Sequence, residues 1–172
     1  MRIFKVSMVA ILFITVMFVV SSSAADTKIG IFDMEKIMSD SKIGKSAKSK
    51  LESKRNTLKS ALEKKKVELE KMDAKLEKDR MVMGKDKYEA ARFELQKKLI
   101  DFKELDKNST DEMRKLQQQL LGEINKEVVG IIRQIGKKEN YTVIFEKTIA
   151  GAAYFDGKID ITNRVVKALN SK

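Results

Sequence analysis

The sequence has no histidine, cysteine, proline or tryptophan in its 172 residues. Without cysteine and histidine it can build no disulfide framework, thiolate nucleophile, zinc site of the usual ligands or imidazole base. Without proline, nothing forbids very long helices. Aromatic residues are scarce at 6%, whereas charged residues reach 35%, with 36 Lys+Arg against 25 Asp+Glu and a formal net charge of +11. Such a chain reads as a binding or structural protein, not an enzyme. Its length suits one domain, or a small domain with an elongated appendage.

Long apolar runs are confined to the N-terminus. Arg2 and Lys5 precede a nearly unbroken apolar stretch from Val6 to Val20, and Ser21 to Ala25 are small residues with Ser23 and Ala25 at the −3 and −1 positions of a cleavage site. This is the layout of a secretory signal peptide over 1–25. An apolar run of about 15 residues is short against the roughly 20 needed to span a bilayer. Cleavage is expected between Ala25 and Asp26, and no cysteine follows that could carry a lipid. The exported chain would hold 34 Lys+Arg against 25 Asp+Glu, a net +9. A basic exported protein meets anionic surfaces, polyanions or acidic polypeptides, not chromosomal DNA. Absence of cysteine fits an oxidising compartment.

Beyond residue 25 the composition has three zones. Residues 26–44 include Lys28-Ile29-Gly30-Ile31-Phe32-Asp33, which reads as a strand, then a turn or short helix through Met34–Met38. Residues 45–138 are highly charged with helical periodicity. In 139–172, Tyr141-Thr142-Val143-Ile144-Phe145 is a β-branched and aromatic strand signal. A further short strand is expected near Ala152-Ala153-Tyr154-Phe155, with Asp156-Gly157 as its turn. Asp160-Ile161-Thr162 offers capping residues to a closing helix with Val165, Val166 and Leu169 at helical spacing. The fold class expected is α+β, mainly α: a small β-body from 26–44 and 139–172, and a long antiparallel coiled-coil hairpin over 45–138.

Steps of four and three from Leu51 reach Arg55, Leu58, Leu62, Lys65, Leu69, Met72, Leu76, Asp79 and Met83, and seven of these ten seam positions are apolar. From Leu95 the walk visits Leu99, Phe102, Asp106, Ser109, Met113, Leu116, Leu120, Ile124, Val128, Ile131 and Ile135, ten of twelve apolar. This is coiled-coil spacing, and the successive fours around Leu120–Val128 are a stutter. The stutter predicts where the second helix leaves the coiled coil for the body. Gly84, the only glycine between 45 and 121, marks the reversal, with the tip near 81–88. Arms of about 55 Å or more follow from the helical rise. Residues 45–110 carry 20 Lys+Arg against 13 Asp+Glu, so most of the positive excess is on the arms.

Motifs that suggest chemistry do not survive inspection. Gly44-Lys45-Ser46 lacks the first glycine of a phosphate-binding loop, since Ser39 stands there; it reads as a helix-entry turn. Ser39 and Lys42 match S-x-x-K without its companion motifs. The runs Lys64-Lys65-Lys66 and Lys97-Lys98 are first of all solvated helix faces, although their sum permits polyanion binding. Met81, Val82, Met83 and Tyr88, with Lys85 and Lys87 beside them, are the better contact candidates, because a Met-rich apolar tip is adaptable surface. Lys97 and Lys98 join them as candidate client contacts. No catalytic, cofactor or metal residue is assigned.

In their order, the opening strand, the basic helical hairpin, the Tyr141–Phe145 strand and the Asp160-Ile161-Thr162 closing helix resemble the Skp/OmpH family of periplasmic chaperones. The resemblance covers nearly all of the chain after residue 25. It implies a homotrimer in the Gram-negative periplasm whose strands build an intersubunit β-body. Three hairpins would then surround a cavity holding an unfolded outer-membrane protein, with no nucleotide, cofactor or enzymatic activity. It also raises lipopolysaccharide or an anionic membrane surface as a partner, without assigning residues to it; nucleic acid is disfavoured. Two rivals come from other classes: an exported coiled-coil protein that binds polyanions, and a structural envelope protein.

Overall fold

The computed structural model describes residues 27–172; the expected signal peptide over 1–25 and the expected cleavage between Ala25 and Asp26 lie outside them. Strands β1 (Ile29–Phe32) and β2 (Val143–Glu146) pair in parallel, Ile29 opposite Val143 and Phe32 opposite Glu146. Parallel strands need a crossover connection, and here the crossover is the entire helical hairpin. Gly30 tolerates the tight stacking of Tyr141 on β1, since a Cβ would lie 3.0 Å from Tyr141 Cε1. The other edge of β1 is taken by the C-terminal segment: Ile31 bridges Asp160, and the Ile161 amide donates to the Ile31 carbonyl at 2.8 Å.

Five helices complete the described chain: α1 (Met34–Asp40), α2 (Lys42–Asp79), α3 (Lys85–Lys138), α4 (Lys147–Ala150) and α5 (Thr162–Asn170). Asp33 caps α1, accepting from the Lys36 amide at 2.9 Å, while its own amide donates to Thr162 Oγ1 at 2.9 Å. One residue thus starts a helix and ties it to α5. Ser41 separates α1 from α2 and caps the latter through its hydroxyl, which accepts from the Gly44 amide at 3.1 Å. The elbow is tight: a Cβ on Gly44 would stand 2.0 Å from the Met38 carbonyl oxygen. At the far end, Asn140 adopts a left-handed φ of 57° and the Tyr141 amide donates to the Gly136 carbonyl at 3.0 Å, which stops α3 and turns the chain into β2.

The main core is built from both ends of the chain and the base of the hairpin. Phe32, Ile37 and Ala47 pack with Leu120, Ile124, Val128 and Ile131 of α3 and with Ile161, Val165 and Leu169. The spacing of four at Leu120, Ile124 and Val128 therefore coincides with the place where α3 exchanges its arm partner for the body, while remaining one helix. Two antiparallel helices of 38 and 54 residues, at about 1.5 Å per residue, extend roughly 57 and 81 Å. A second, smaller cluster of Leu69, Leu76 and Leu95, backed by Met72, Tyr88, Ala91 and Phe102, closes the outer arm.

Several expectations are corrected. Ala152–Phe155 forms no strand; it is irregular chain between α4 and a 3-10 turn at Gly157–Ile159. The free edge of β1 is taken by Asp160 and Ile161, and the segment does not pair with β2, whose outer edge stays open. Gly84 stands at the start of α3, not at the end of the first arm: α2 ends at Asp79, and Gly84 precedes α3 with φ −61°. The reversal is instead held by the Asp79 carbonyl, which accepts from the Val82 and Met83 amides at 3.1 and 2.8 Å. Leu99 is not in the seam but 43% exposed. Lys98 takes that level, because its long stem reaches across the arm to Glu68 while the ammonium stays hydrated.

Candidate functional site

The arm is a rod with a thin seam and large open flanks. At mid-length the seam holds Ser109, whose hydroxyl returns to the Leu105 carbonyl at 2.7 Å. Beside it a groove of about 390 Å³ runs between Leu58, Leu62, Phe102 and Met113. On the other flank Lys65, Glu68, Lys98 and Phe102 border one of about 300 Å³. Between the two hydrophobic clusters the helices therefore touch without closing. Such a stretch has little buried area to hold it straight, and bends more easily than the ends.

The predicted contact residues divide at the tip. Met81 and Val82 stand at the apex, 91% and 84% exposed, with Lys85 and Lys87 also exposed at the start of α3. Met83 and Tyr88 are half-buried: Met83 lines a groove with Met72, Leu76 and Leu95, and Tyr88 packs on the outer-arm cluster. Lys97 is exposed, whereas Lys98 pairs with Glu68 at 3.1 Å. Hydrogen bonds from Lys65 and then Lys98 hold the Glu68 carboxyl below the usual carboxylate range. Arg80 pairs with Glu77 at 3.8 Å. The apex thus presents two aliphatic side chains among hydrated charges.

Two exposed apolar residues of the arm escape a seam-based reading. Phe93 is 70% and Ile100 58% exposed. Seven residues apart on α3, they share one face, roughly half a turn away from Leu95 and Phe102 of the seam. The signal was available: apolar residues left over once the seam is assigned form a second stripe.

The body has its own uncovered apolar surface. Ile29, Phe145, Ile149 and Tyr154 are all exposed. The sheet has two strands, so the edge of β2 away from β1 presents unpaired backbone groups. Next to it, Lys28 Nζ lies 4.2 Å from the centroid of the Tyr141 ring, and Arg164 donates to Tyr141 Oη at 3.0 Å and pairs with Glu139. This polar clamp joins the N-terminal strand to the end of α3 and to α5. Among the described residues no cluster of acidic side chains could hold a metal ion, and no helix is long and apolar enough to cross a membrane.

Residues 28–169 match the family model for outer membrane protein (OmpH-like). A crystal structure of a candidate outer membrane chaperone (OmpH-like) from Caulobacter crescentus is similar to this chain with a TM-score of 0.78 and 19% identity, over 84% of this chain and 85% of that one. At that identity the likeness is one of fold: a long helical hairpin rising from a small body with a parallel strand pair. No curated protein matches the sequence.

Proposed function

The chain belongs to the OmpH-like outer membrane protein family, and from that premise we propose that it is a periplasmic holdase chaperone for unfolded outer-membrane proteins. Its export would depend on the signal peptide cut between Ala25 and Asp26. The observation that carries the reading is the arm: a basic rod with Met81, Val82, Phe93 and Ile100 exposed and no cysteine or histidine along it. Unfolded β-barrel proteins alternate apolar and polar residues, so they are adhesive yet partly soluble. A cationic arm draws acidic segments of such a chain from a distance, and scattered apolar side chains then supply many weak contacts. Preferential binding of the unfolded chain stabilises it by mass action, so no nucleotide is required.

Self-association completes the proposal. A body this small needs partners for stability, and the open β2 edge, with the exposed Phe145, Ile149 and Tyr154 and with Ile29 of β1, suits a second copy. Three copies would place three hairpins around a common cavity. A lipopolysaccharide or anionic membrane contact is compatible with the basic arms. The test is suppression of aggregation of an unfolded outer-membrane β-barrel protein by the chain beginning at Asp26, with its mass measured alongside. Suppression by a trimer, weakening as salt rises and exposed charges are screened, is expected. A monomer that suppresses nothing refutes the chaperone reading, and salt-independent capture refutes its electrostatic half. Tight binding of nucleic acid without suppression would favour the polyanion-binding alternative.

A further inference from the structure

We propose that Met81 is an oxidant-sensitive switch: conversion of its thioether to the sulfoxide removes the apolar contact at the hairpin tip while leaving the fold intact. The consequence for binding rests on the reading of the tip as a contact surface; the order of oxidation does not.

The starting point is competition for oxidant. The chain has no cysteine, histidine or tryptophan, so methionine is its principal oxidisable side chain. Susceptibility follows access, and access differs sharply along the fold. Met81 is 91% exposed. Among the described residues every other methionine is partly covered. Met34 and Met38 pack on the body core, Met72 on the outer-arm cluster, and Met83 and Met113 line grooves of the arm.

The chemistry needs only a two-electron oxygen donor such as hydrogen peroxide. A sulfur lone pair attacks one peroxide oxygen, the S–O bond forms as the O–O bond breaks, and water leaves after proton transfer. Sulfur loses two electrons and the peroxide gains them. The product is polar and chiral where the thioether was apolar. Beside Val82 it leaves one aliphatic side chain at the apex instead of two.

Position makes this a switch instead of damage. Met81 belongs to neither hydrophobic cluster, so its sulfoxide breaks no packing. A sulfoxide at Met34, Met38 or Met72 would insert a strong dipole beside buried apolar groups and loosen the body or outer arm. Low oxidant therefore reaches contact before stability. Reduction of the sulfoxide by a methionine sulfoxide reductase reverses the change.

The test uses limiting hydrogen peroxide on the chain beginning at Asp26, with peptide mapping by mass. Met81 is expected to gain oxygen at least about fivefold faster than Met34, Met38 or Met72, with helicity and melting unchanged. Capture of an unfolded outer-membrane β-barrel protein should fall about threefold at the point of full Met81 oxidation, and reductase treatment should restore it. The treated-to-untreated ratio of capture should return to about one in Met81→Leu, judged against that variant's own untreated value. Equal oxidation rates at Met81 and Met72, or an undiminished oxidant effect in Met81→Leu, would overturn the proposal. So would unchanged capture by protein fully oxidised at Met81. If untreated protein captures nothing, the chaperone reading and the binding consequence fall together, whereas the order of oxidation is still decided by mass.

Discussion

Replacing Ile37 by Ala is expected to destabilise the body by about 3–4 kcal/mol. Ile37 is fully buried in α1, inside the cluster that includes Phe32, Val128 and Val165. The substitution removes three carbons, worth about 0.8 kcal/mol each on transfer, or roughly 2.4 kcal/mol. A cavity term of about 1 kcal/mol is added because α1 cannot slide inward to fill the space. Its first turn is capped by Asp33, the Ser41 amide donates to the Ile37 carbonyl, and Met38 already abuts Gly44. The comparison is Leu58→Ala in the arm. Leu58 is half-buried beside the mid-arm groove, so less surface is returned to water and no closed cavity forms; a cost under about 1.5 kcal/mol is expected. Guanidinium unfolding at fixed protomer concentration measures both, since assembly would contribute to apparent stability. Helicity follows the arms, and tyrosine fluorescence in a Tyr88→Phe background follows the body, which holds Tyr141 and Tyr154. A cost for Ile37→Ala below about 1 kcal/mol, or equal to that of Leu58→Ala, would refute the placement of the core at the base of the hairpin.

Three further outcomes are expected. Gly44→Ala should cost more than about 2 kcal/mol, because its Cβ meets backbone at 2.0 Å and a helix must move. Gly122→Ala in α3, with nothing within 4 Å of its Cβ, should instead stabilise by up to about 1 kcal/mol; thermal melts that rank the two the other way would refute the elbow geometry. Asp33→Ala should cost about 1 kcal/mol at pH 7 as a lost cap. The hydrogen bond from the Lys36 amide, with help from Lys147, lowers the Asp33 pKa below its ordinary 3.8. Its contribution is thus full above the unfolded value and fades as pH falls through the lower folded one. Urea unfolding at pH 7 and at pH 2.5 should show the gap between wild type and variant shrinking, and a constant gap would count against it. Finally, Phe145→Asp with Ile149→Asp should reduce the mass of the assembly by light scattering without loss of arm helicity; an unchanged mass would place the subunit contact elsewhere.

The legible parts of this protein are those in which local pattern and tertiary role coincide. A proline-free run with leucines every three or four residues has few alternatives to long helices, and the break around Arg80–Gly84 is visible as a gap in that pattern. The strand pieces carry β-branched and aromatic signals of their own. The stutter at Leu120–Val128 was readable because a change of packing partner changes the required spacing. Leu99 was misassigned because Leu95 to Phe102 is one heptad whichever residue fills the level between them. The choice of Lys98 depends on Glu68, thirty residues away. The Ala152–Phe155 segment has a local strand pattern, but a strand forms only where it pairs, and Asp160 and Ile161 instead take the edge of β1. Phe93 and Ile100 form a second, exposed stripe that a single-seam pattern does not register.

Composition and periodicity alone therefore determined the helical hairpin, its basic character, its approximate length and the lack of cysteine and histidine chemistry. Those properties follow from rules that act over three to seven residues. Only the tertiary structure decided that β1 pairs in parallel with β2, that Asp160 and Ile161 close the other edge of β1, and that Lys28 and Arg164 hold Tyr141 between them. It also separated the covered Met83 and Tyr88 from the open Met81 and Val82, which stand beside them in sequence with similar hydrophobicity. Exposure is a property of what else arrives at the same place. For β1 and β2, the partners that arrive come from opposite ends of the chain.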